Sequence, residues 1–100
     1  MTLEISPGEG SGVYVLQGEL DLVTAARLDE VADGDGEGDL VLDIERLTFI
    51  DSSGLRTLIR MALERPEGHP LVLRRPSRSA KRLLDMAFGT GGVPGLEIAS

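Results

Sequence analysis

The pattern of apolar and polar residues changes near the middle of the chain, from strand-like to helix-like. Residues 40–44 alternate and are largely apolar, which predicts a short strand buried on both faces. From Leu55 onward the apolar residues recur at helical spacing, which predicts an amphipathic helix. The strand positions are Leu40, Leu42 and Ile44 with Val41 on the other side, and the inward helix positions are Leu55, Leu58, Ile59, Ala62 and Leu63.

Polar residues mark the solvent-facing parts of this strand and helix. Asp43 is expected at the solvent-exposed end of the strand. Three charged residues recur on the outer face of the helix at positions i, i+4 and i+8: Arg56, Arg60 and Glu64. The segment between strand and helix is expected to be anchored by Leu47, Phe49 and Ile50.

The sequence Asp51-Ser52-Ser53-Gly54 stands where the helix begins. Each of its first three residues is a good N-cap, because its side-chain oxygen can accept a hydrogen bond from the free N–H groups of the first turn. No Glu or Gln follows at the spacing of a capping box, so the helix start remains open to an anion. A glycine here costs up to about 1 kcal/mol relative to alanine but permits close backbone approach.

The rest of the chain predicts further strands and helices around this centre. Two short strands, 3–5 and 13–17, are expected to form a hairpin. Gly18-Glu19-Leu20-Asp21 should end the second strand, and Asp21 can cap a helix to about Ala32. Strands follow at 71–73 and 96–98, with a helix between them that Pro76-Ser77 opens and Gly89 ends. Inward positions are Ala25, Leu28 and Val31 or Ala32 in the first of these helices, and Ala80, Leu83, Leu84 and Ala87 in the last.

This succession predicts one α/β domain over residues 1–100, a small mixed sheet with amphipathic helices packed on it. The chain has 100 residues, of which 41 % are hydrophobic, enough for a single core. No apolar run approaches the roughly 18 residues of a membrane span and no signal peptide is evident, so we expect a cytoplasmic protein without membrane contact.

Charge is distributed unevenly along the chain. The net charge of −7 divides into −10 for residues 1–50 (12 acids, 2 bases) and +3 for residues 51–100 (5 acids, 8 bases). A direct nucleic-acid partner is therefore not expected. Five bases cluster near the last helix and are interpreted as a solvated face, with docking of an acidic partner as the alternative: Arg74, Arg75, Arg78, Lys81 and Arg82.

Several kinds of catalytic or metal site do not fit the residues present. Ser52 and Ser53 lie at a strand-to-helix turn, but the motif is not G-x-S-x-G and His69 is the only imidazole, so a hydrolase is disfavoured. There is no P-loop, and the absence of cysteine disfavours zinc. The acidic segment 33–39 resembles a calcium loop until its twelfth position, which is Ile44 instead of glutamate, and is interpreted as a connector. We expect no cofactor, no metal and no enzymatic activity.

A serine that accepts a phosphoryl group from another protein suits the helix start better. Phosphate adds about −1.5 to −2 charges, which the N–H groups and dipole of a helix N-terminus stabilise. Burying that charge against a partner without a cation opposite it is unfavourable, so phosphorylation would switch docking off. The alternative, in which both serines only cap the helix and pack, stays open at this point.

Three stretches resemble the STAS domains of the bacterial anti-sigma factor antagonists, also called anti-anti-sigma factors. They are Gly18-Glu19-Leu20-Asp21, the block from Val41-Leu42-Asp43-Ile44 through Leu47-Thr48-Phe49-Ile50-Asp51-Ser52-Ser53-Gly54-Leu55, and Ala80-Lys81-Arg82-Leu83-Leu84-Asp85-Met86. Family members usually continue past the last strand into another helix, whereas this sequence ends at Ser100.

The resemblance implies that Ser52 is phosphorylated by an anti-sigma factor that is also a serine kinase. The unmodified antagonist binds this kinase and frees a sigma factor, and a PP2C-type phosphatase resets the modified form. The resemblance also places Asp21 on the same surface as Asp51, Ser52, Ser53 and Gly54, and we add Arg56 to this partner-binding set. The alternative is a constitutive STAS subunit of a membrane transporter complex, indifferent to Ser52.

Overall fold

The computed structural model describes residues 2–34, 38–89 and 92–99, without the side chains of residues 32–34 and 88. These residues form five strands and three helices. In chain order the elements are β1 (Leu3–Pro7), β2 (Val13–Leu20), α1 (Ala25–Gly34), β3 (Leu40–Ile50), α2 (Ser52–Leu63), β4 (Leu71–Arg74), α3 (Arg78–Phe88) and β5 (Leu96–Ala99). The predicted α/β class is therefore confirmed.

The strands form one mixed sheet in the order β1-β2-β3-β4-β5. β1 and β2 are antiparallel, as the hairpin prediction required, and β2 to β5 are parallel. Each parallel pair is joined through a helix, because parallel neighbours need a long crossover connection. The carboxyl ends of β2 and β3 consequently lie at the same edge of the sheet, next to the start of α2.

The core is almost entirely aliphatic. Leucines from all layers are fully buried, among them Leu16, Leu42, Leu58 and Leu84. α1 packs on α2, while α2 and α3 both contact β3. β3 is therefore the central strand of the core, and the helix that follows it starts from a well-packed base.

β3 is longer than predicted and does not end at Asp43. Asp43 is only 2 % exposed and lies inside the strand, so the prediction of a solvent-facing end is wrong. Arg75 and Arg74 explain the burial, since both contact its Oδ2 atom, Arg74 at 3.3 Å. Two register shifts against β2 carry β3 onward to Ile50.

The ion pair also sets the protonation of Asp43. Burial alone would raise the pKa of this carboxyl, but the hydrogen bond from Arg75, the Glu45 N–H and the Arg75 charge outweigh burial and lower it. The same contact raises the pKa of Arg75. Two of the five clustered bases therefore stabilise the sheet, whereas Arg78, Lys81 and Arg82 form the solvated face that the sequence predicted.

Four further details differ from the sequence prediction. β2 continues to Leu20 because Gly18, at φ 113°, keeps the strand going past a register shift. Phe49 is 44 % exposed and does not anchor the connecting segment, whereas Leu47 does. In α2, Met61 is buried and Leu63 is 59 % exposed, since Leu63 lies beyond the edge of the inward stripe. Ala87 is exposed, as is Met86 beside it, so α3 buries only its earlier apolar positions.

The predicted boundaries of α3 are confirmed, whereas α1 begins three residues later than a cap at Asp21 would place it. Ser77 caps α3 by accepting a hydrogen bond from the Ala80 N–H at 3.2 Å, and Gly89 ends it at φ 56°. His69 is exposed in the loop before β4, with Nδ1 2.7 Å from Asp39 Oδ1. Ala32 and residues 35–37 of the acidic segment fall outside the described side chains.

Candidate functional site

The ends of β2 and β3 bring Asp21 and Asp51 to the same edge of the sheet. Leu20 pairs with Ile50, so the two aspartates are the next residues on neighbouring strands. The Asp51 N–H donates to the Leu20 carbonyl oxygen at 3.2 Å and ties the two segments together. The sequence placed these residues on one surface only through the family resemblance, and the strand register provides the physical reason.

Asp51 is the N-cap of α2. Its Oδ1 atom accepts a hydrogen bond from the Gly54 N–H at 2.8 Å, while its carbonyl oxygen accepts from the Leu55 N–H at 2.9 Å. The side-chain bond satisfies one of the N–H groups that a helix start leaves free. Of the three candidate caps in the sequence, the structure selects Asp51, and both serines follow it inside the helix.

Gly54 is buried because the first turn of α2 lies directly on the end of β2. A Cβ atom at this position would lie 2.5 Å from the Leu20 carbonyl oxygen and 2.8 Å from Leu20 Cγ. At distances below 3.0 Å something must shift, and here the nearest neighbour is a backbone atom that cannot move aside as a flexible side chain could. The close approach expected of this glycine is therefore present, and Leu20 is its partner.

The two serines differ in accessibility. Ser52 is exposed at the first position of α2, and its hydroxyl makes no hydrogen bond with any described residue. Ser53 is half-buried, and its carbonyl oxygen accepts from the Thr57 hydroxyl at 3.2 Å. Arg56 lies exposed one turn further along. Ser52 is thus the more accessible hydroxyl of the pair.

Asp21 organises the loop between β2 and α1. Its Oδ1 atom accepts from the N–H groups of Val23 at 3.0 Å and Thr24 at 2.9 Å. The Thr24 N–H bond is the main cause of a lowered pKa for this 7 %-exposed carboxyl, with the Thr24 hydroxyl and the Val23 N–H adding to it against the opposing effect of burial. The sequence predicted Asp21 as the cap of α1, but α1 begins at Ala25, and the N–H groups that Asp21 binds belong to the turn before the helix.

Thr24 completes the loop and was missed at the sequence level. Its hydroxyl donates a hydrogen bond to the Glu19 carbonyl oxygen at 2.8 Å. The same hydroxyl accepts a hydrogen bond from the Asp21 N–H at 2.9 Å. The signal was present in the spacing, because a threonine three residues after an aspartate can return a hydrogen bond to that residue's backbone.

Two exposed apolar residues in this loop were not predicted from the sequence. Leu22 is 74 % and Val23 80 % exposed, directly after the buried Asp21. Because Asp21 accepts from the Val23 and Thr24 N–H groups, the loop is held in a shape that projects both side chains outward. Together with Ser52 they give this edge of the sheet apolar and hydroxyl groups beside two carboxylates.

The described residues contain no group of three or more His, Cys, Asp or Glu side chains suited to holding a metal ion. Among the same residues, no helix has the length and apolar character needed to cross a membrane.

Comparison with known proteins identifies the family. Residues 7–90 match the family model described as "Mlab, STAS domain". The chain therefore belongs to the STAS-domain family, as its sequence motifs predicted. A search of curated proteins finds no significant match.

Two solved structures share this fold. One is the anti-sigma factor antagonist SpoIIAA in its unphosphorylated form, with 20 % identity over 99 % of this chain and 89 % of that chain, at a TM-score of 0.63. The other is a chain in the complex of the diguanylate cyclase SiaD with its activator SiaC from Pseudomonas aeruginosa, with 22 % identity, coverage of 98 % and 91 %, and a TM-score of 0.60. The similarity establishes a STAS fold of the SpoIIAA type.

Proposed function

We propose that this protein is an anti-sigma factor antagonist whose docking is switched by phosphorylation of Ser52. In the unmodified state it binds an anti-sigma factor that is also a serine kinase, and a sigma factor is thereby freed for transcription. The kinase, and not this chain, binds ATP and magnesium, and a PP2C-type phosphatase removes the phosphate. The chain itself acts as a binding module in the cytoplasm, without a cofactor or an enzymatic activity of its own.

The observation that carries this proposal is the exposed hydroxyl of Ser52 on the first turn of α2, which makes no hydrogen bond within the described part of the chain. A kinase can reach it, and modification breaks no hydrogen bond among the described residues. The N–H groups of a helix start and its dipole favour an added anion by roughly 0.3 to 2 kcal/mol. The fold should therefore accept the phosphate.

Asp51 makes the effect of phosphorylation on the surface large. A dianion roughly 6 Å from the Asp51 carboxylate is repelled by about 1 to 5 kcal/mol for an effective dielectric between 80 and 20. The contact of Gly54 with Leu20 holds the helix start in place, so the added charge alters the surface and does not move the backbone. A partner that buries this edge must then desolvate the phosphate, at several kcal/mol unless a cation faces it.

The remaining residues of the predicted set have supporting roles in this proposal. Asp51 and Gly54 fix the helix start, Asp21 fixes the loop that presents Leu22 and Val23, and Arg56 lies exposed beside Ser53 for contact with the partner.

The proposal is tested by phosphorylation in vitro. The unmodified chain is used to capture its kinase, which is then incubated with the purified chain and ATP, and intact-mass spectrometry counts the phosphates. We expect one phosphate on the wild type and on Ser53→Ala, and none on Ser52→Ala. An unmodified wild type, or equal modification of Ser52→Ala, would contradict the proposal.

A constitutive subunit of a membrane transporter complex is the second candidate. The exposed Leu22 and Val23 favour it, because an apolar contact of this kind needs no change of charge. It predicts co-purification with an ATPase subunit in amounts that do not change when Ser52 is replaced by Asp.

A further inference from the structure

A groove separates α3 from the part of β3 that extends past β4. β4 pairs with β3 only as far as Asp43, and α3 contacts β3. The groove has a volume of about 320 Å³ and is lined by Phe49, Ile50, Ser79, Arg82, Leu83 and Met86, together with Thr48. It exists because β3 is longer than its neighbour on this side.

The floor of the groove is apolar and accessible. Phe49 is 44 % and Met86 77 % exposed, and Leu83 between them is half-buried. Adjacent exposed large apolar residues around a groove are typical of a docking site, and methionine adapts readily to the shape of a partner.

The helix beside the groove is basic. Arg82 lines the groove, while Arg78 and Lys81 lie exposed elsewhere on α3, and none of the three forms an ion pair within the part of the chain that the structure describes. With Asp85 as the only acid, α3 carries a charge of +2 in a protein whose net charge is −7. Such a local reversal of sign attracts acidic segments of a partner, whereas the net charge of −7 opposes the approach of a second copy of this chain.

The spacing of these side chains suits a helical ligand. The nine residues from Arg78 to Met86 span about 12 Å along α3, or just over two helical turns. An amphipathic helix lying along α3 could place its apolar side chains against Phe49, Leu83 and Met86 and its acidic side chains near Arg82.

We propose that this groove binds an acidic amphipathic helix of a partner protein. The groove is also coupled to the switch, and this part rests on the proposed function. Ile50 lines the groove and Ser52 follows two residues later, so their Cα atoms are at most about 7 Å apart. This is within the Debye length of about 8 Å at physiological salt, so a phosphate on Ser52 weakens the attraction for an acidic helix.

The test uses a fluorescent synthetic peptide of about 18 residues, long enough to form a helix, with leucines on one face and glutamates on the other. Fluorescence anisotropy should give saturable binding to the full chain that weakens in about 1 M salt. A peptide with lysine in place of glutamate, and one with scrambled leucines, should bind at least about tenfold more weakly. No saturation up to about 1 mM, or equal binding of the three peptides, overturns the proposal.

Methyl NMR of the methionines locates the bound peptide. Met86 lies in the groove, whereas Met61 is 4 % exposed in the core and serves as an internal reference. The Met86 signal should move on titration while the Met61 signal stays. A bound peptide that leaves the Met86 signal unchanged contradicts binding in the groove.

Paired variants separate groove contacts from general charge and hydrophobicity. Arg82→Glu should weaken peptide binding about five- to tenfold, whereas Arg46→Glu, the same change at an exposed position outside the groove, should not. Met86→Gln should weaken it about fivefold and Leu63→Gln should leave it unchanged. Equal effects within either pair refute the assignment.

Ser52→Asp should weaken binding of the peptide a few-fold. An unchanged affinity would refute only the coupling between the groove and Ser52, independently of whether a kinase modifies Ser52.

Discussion

Gly54 at the start of α2 lies against the backbone of Leu20 at the end of β2 without room for a methyl group. An added Cβ would be 2.5 Å from the Leu20 carbonyl oxygen. This contact joins the two segments that carry Asp21 and Asp51, so backbone packing holds the candidate surface in place. A charge gained at Ser52 can then alter the surface while the structure beneath it stays the same.

Gly54→Ala should destabilise the protein by about 1 to 3 kcal/mol, because backbone atoms of Leu20 cannot move aside as a flexible side chain could. Urea unfolding followed by circular dichroism measures the change. Gly38→Ala is the matched control, since no heavy atom lies within 4 Å of its added Cβ, and its stability should change by less than about 0.5 kcal/mol. Equal losses in the two variants would show that the Leu20 contact is not tight.

Asp43→Asn should cost about 1 to 3 kcal/mol at neutral pH, because Arg74 and Arg75 lose the charge of their buried partner. The stability of the wild type should also depend on pH in the acidic range. Since folding lowers the Asp43 pKa, its ionised form stabilises the protein above the ordinary value of about 3.9, and this contribution is lost as pH falls from there through the native pKa.

The measurement is urea unfolding at a series of pH values between about 2 and 7. The variant should show a weaker loss of stability below about pH 4 than the wild type. Glu45→Gln is the control, because Glu45 is exposed and its Oε2 atom also lies near Arg75, 3.6 Å from Nε. Identical pH profiles for wild type and Asp43→Asn would contradict the role given to this carboxyl.

Much of the fold follows from local sequence patterns, because each helix has a one-sided apolar stripe and each strand a short apolar run. The extension of β3 to Ile50 could not be predicted, since two register shifts break the alternation that marks a strand. The burial of Asp43 depends on Arg74 and Arg75, which lie about 30 residues away in sequence and meet it only across the β3–β4 pair.

The residues at the start of α2 were predicted from the sequence, whereas the exposed apolar residues around them were not. The order of Asp51, Ser52 and Gly54 indicates a helix start, so the local sequence was enough to predict their positions. Leu22, Val23 and Phe49 were missed or misassigned because apolar residues are expected inside, and their exposure is a property of the folded surface.

Leu22→Asp should weaken binding to the captured partner at least about tenfold and leave stability nearly unchanged, because the side chain is 74 % exposed. Leu63→Asp is the control, since Leu63 is also exposed but lies at the far end of α2. Both are compared by surface plasmon resonance, with thermal unfolding as a check on folding. Equal binding of the two variants would place the interface away from this loop.

We expect charge at Ser52 to control docking while the fold stays the same. Calorimetric titration of the captured kinase with wild type, Ser52→Ala and Ser52→Asp tests this expectation, with Ser6→Asp, an exposed position on β1, as control for the added charge. We expect equal affinity for wild type, Ser52→Ala and Ser6→Asp, at least about tenfold weaker binding of Ser52→Asp, and similar unfolding temperatures for all four. Equal affinity of Ser52→Ala and Ser52→Asp would contradict it.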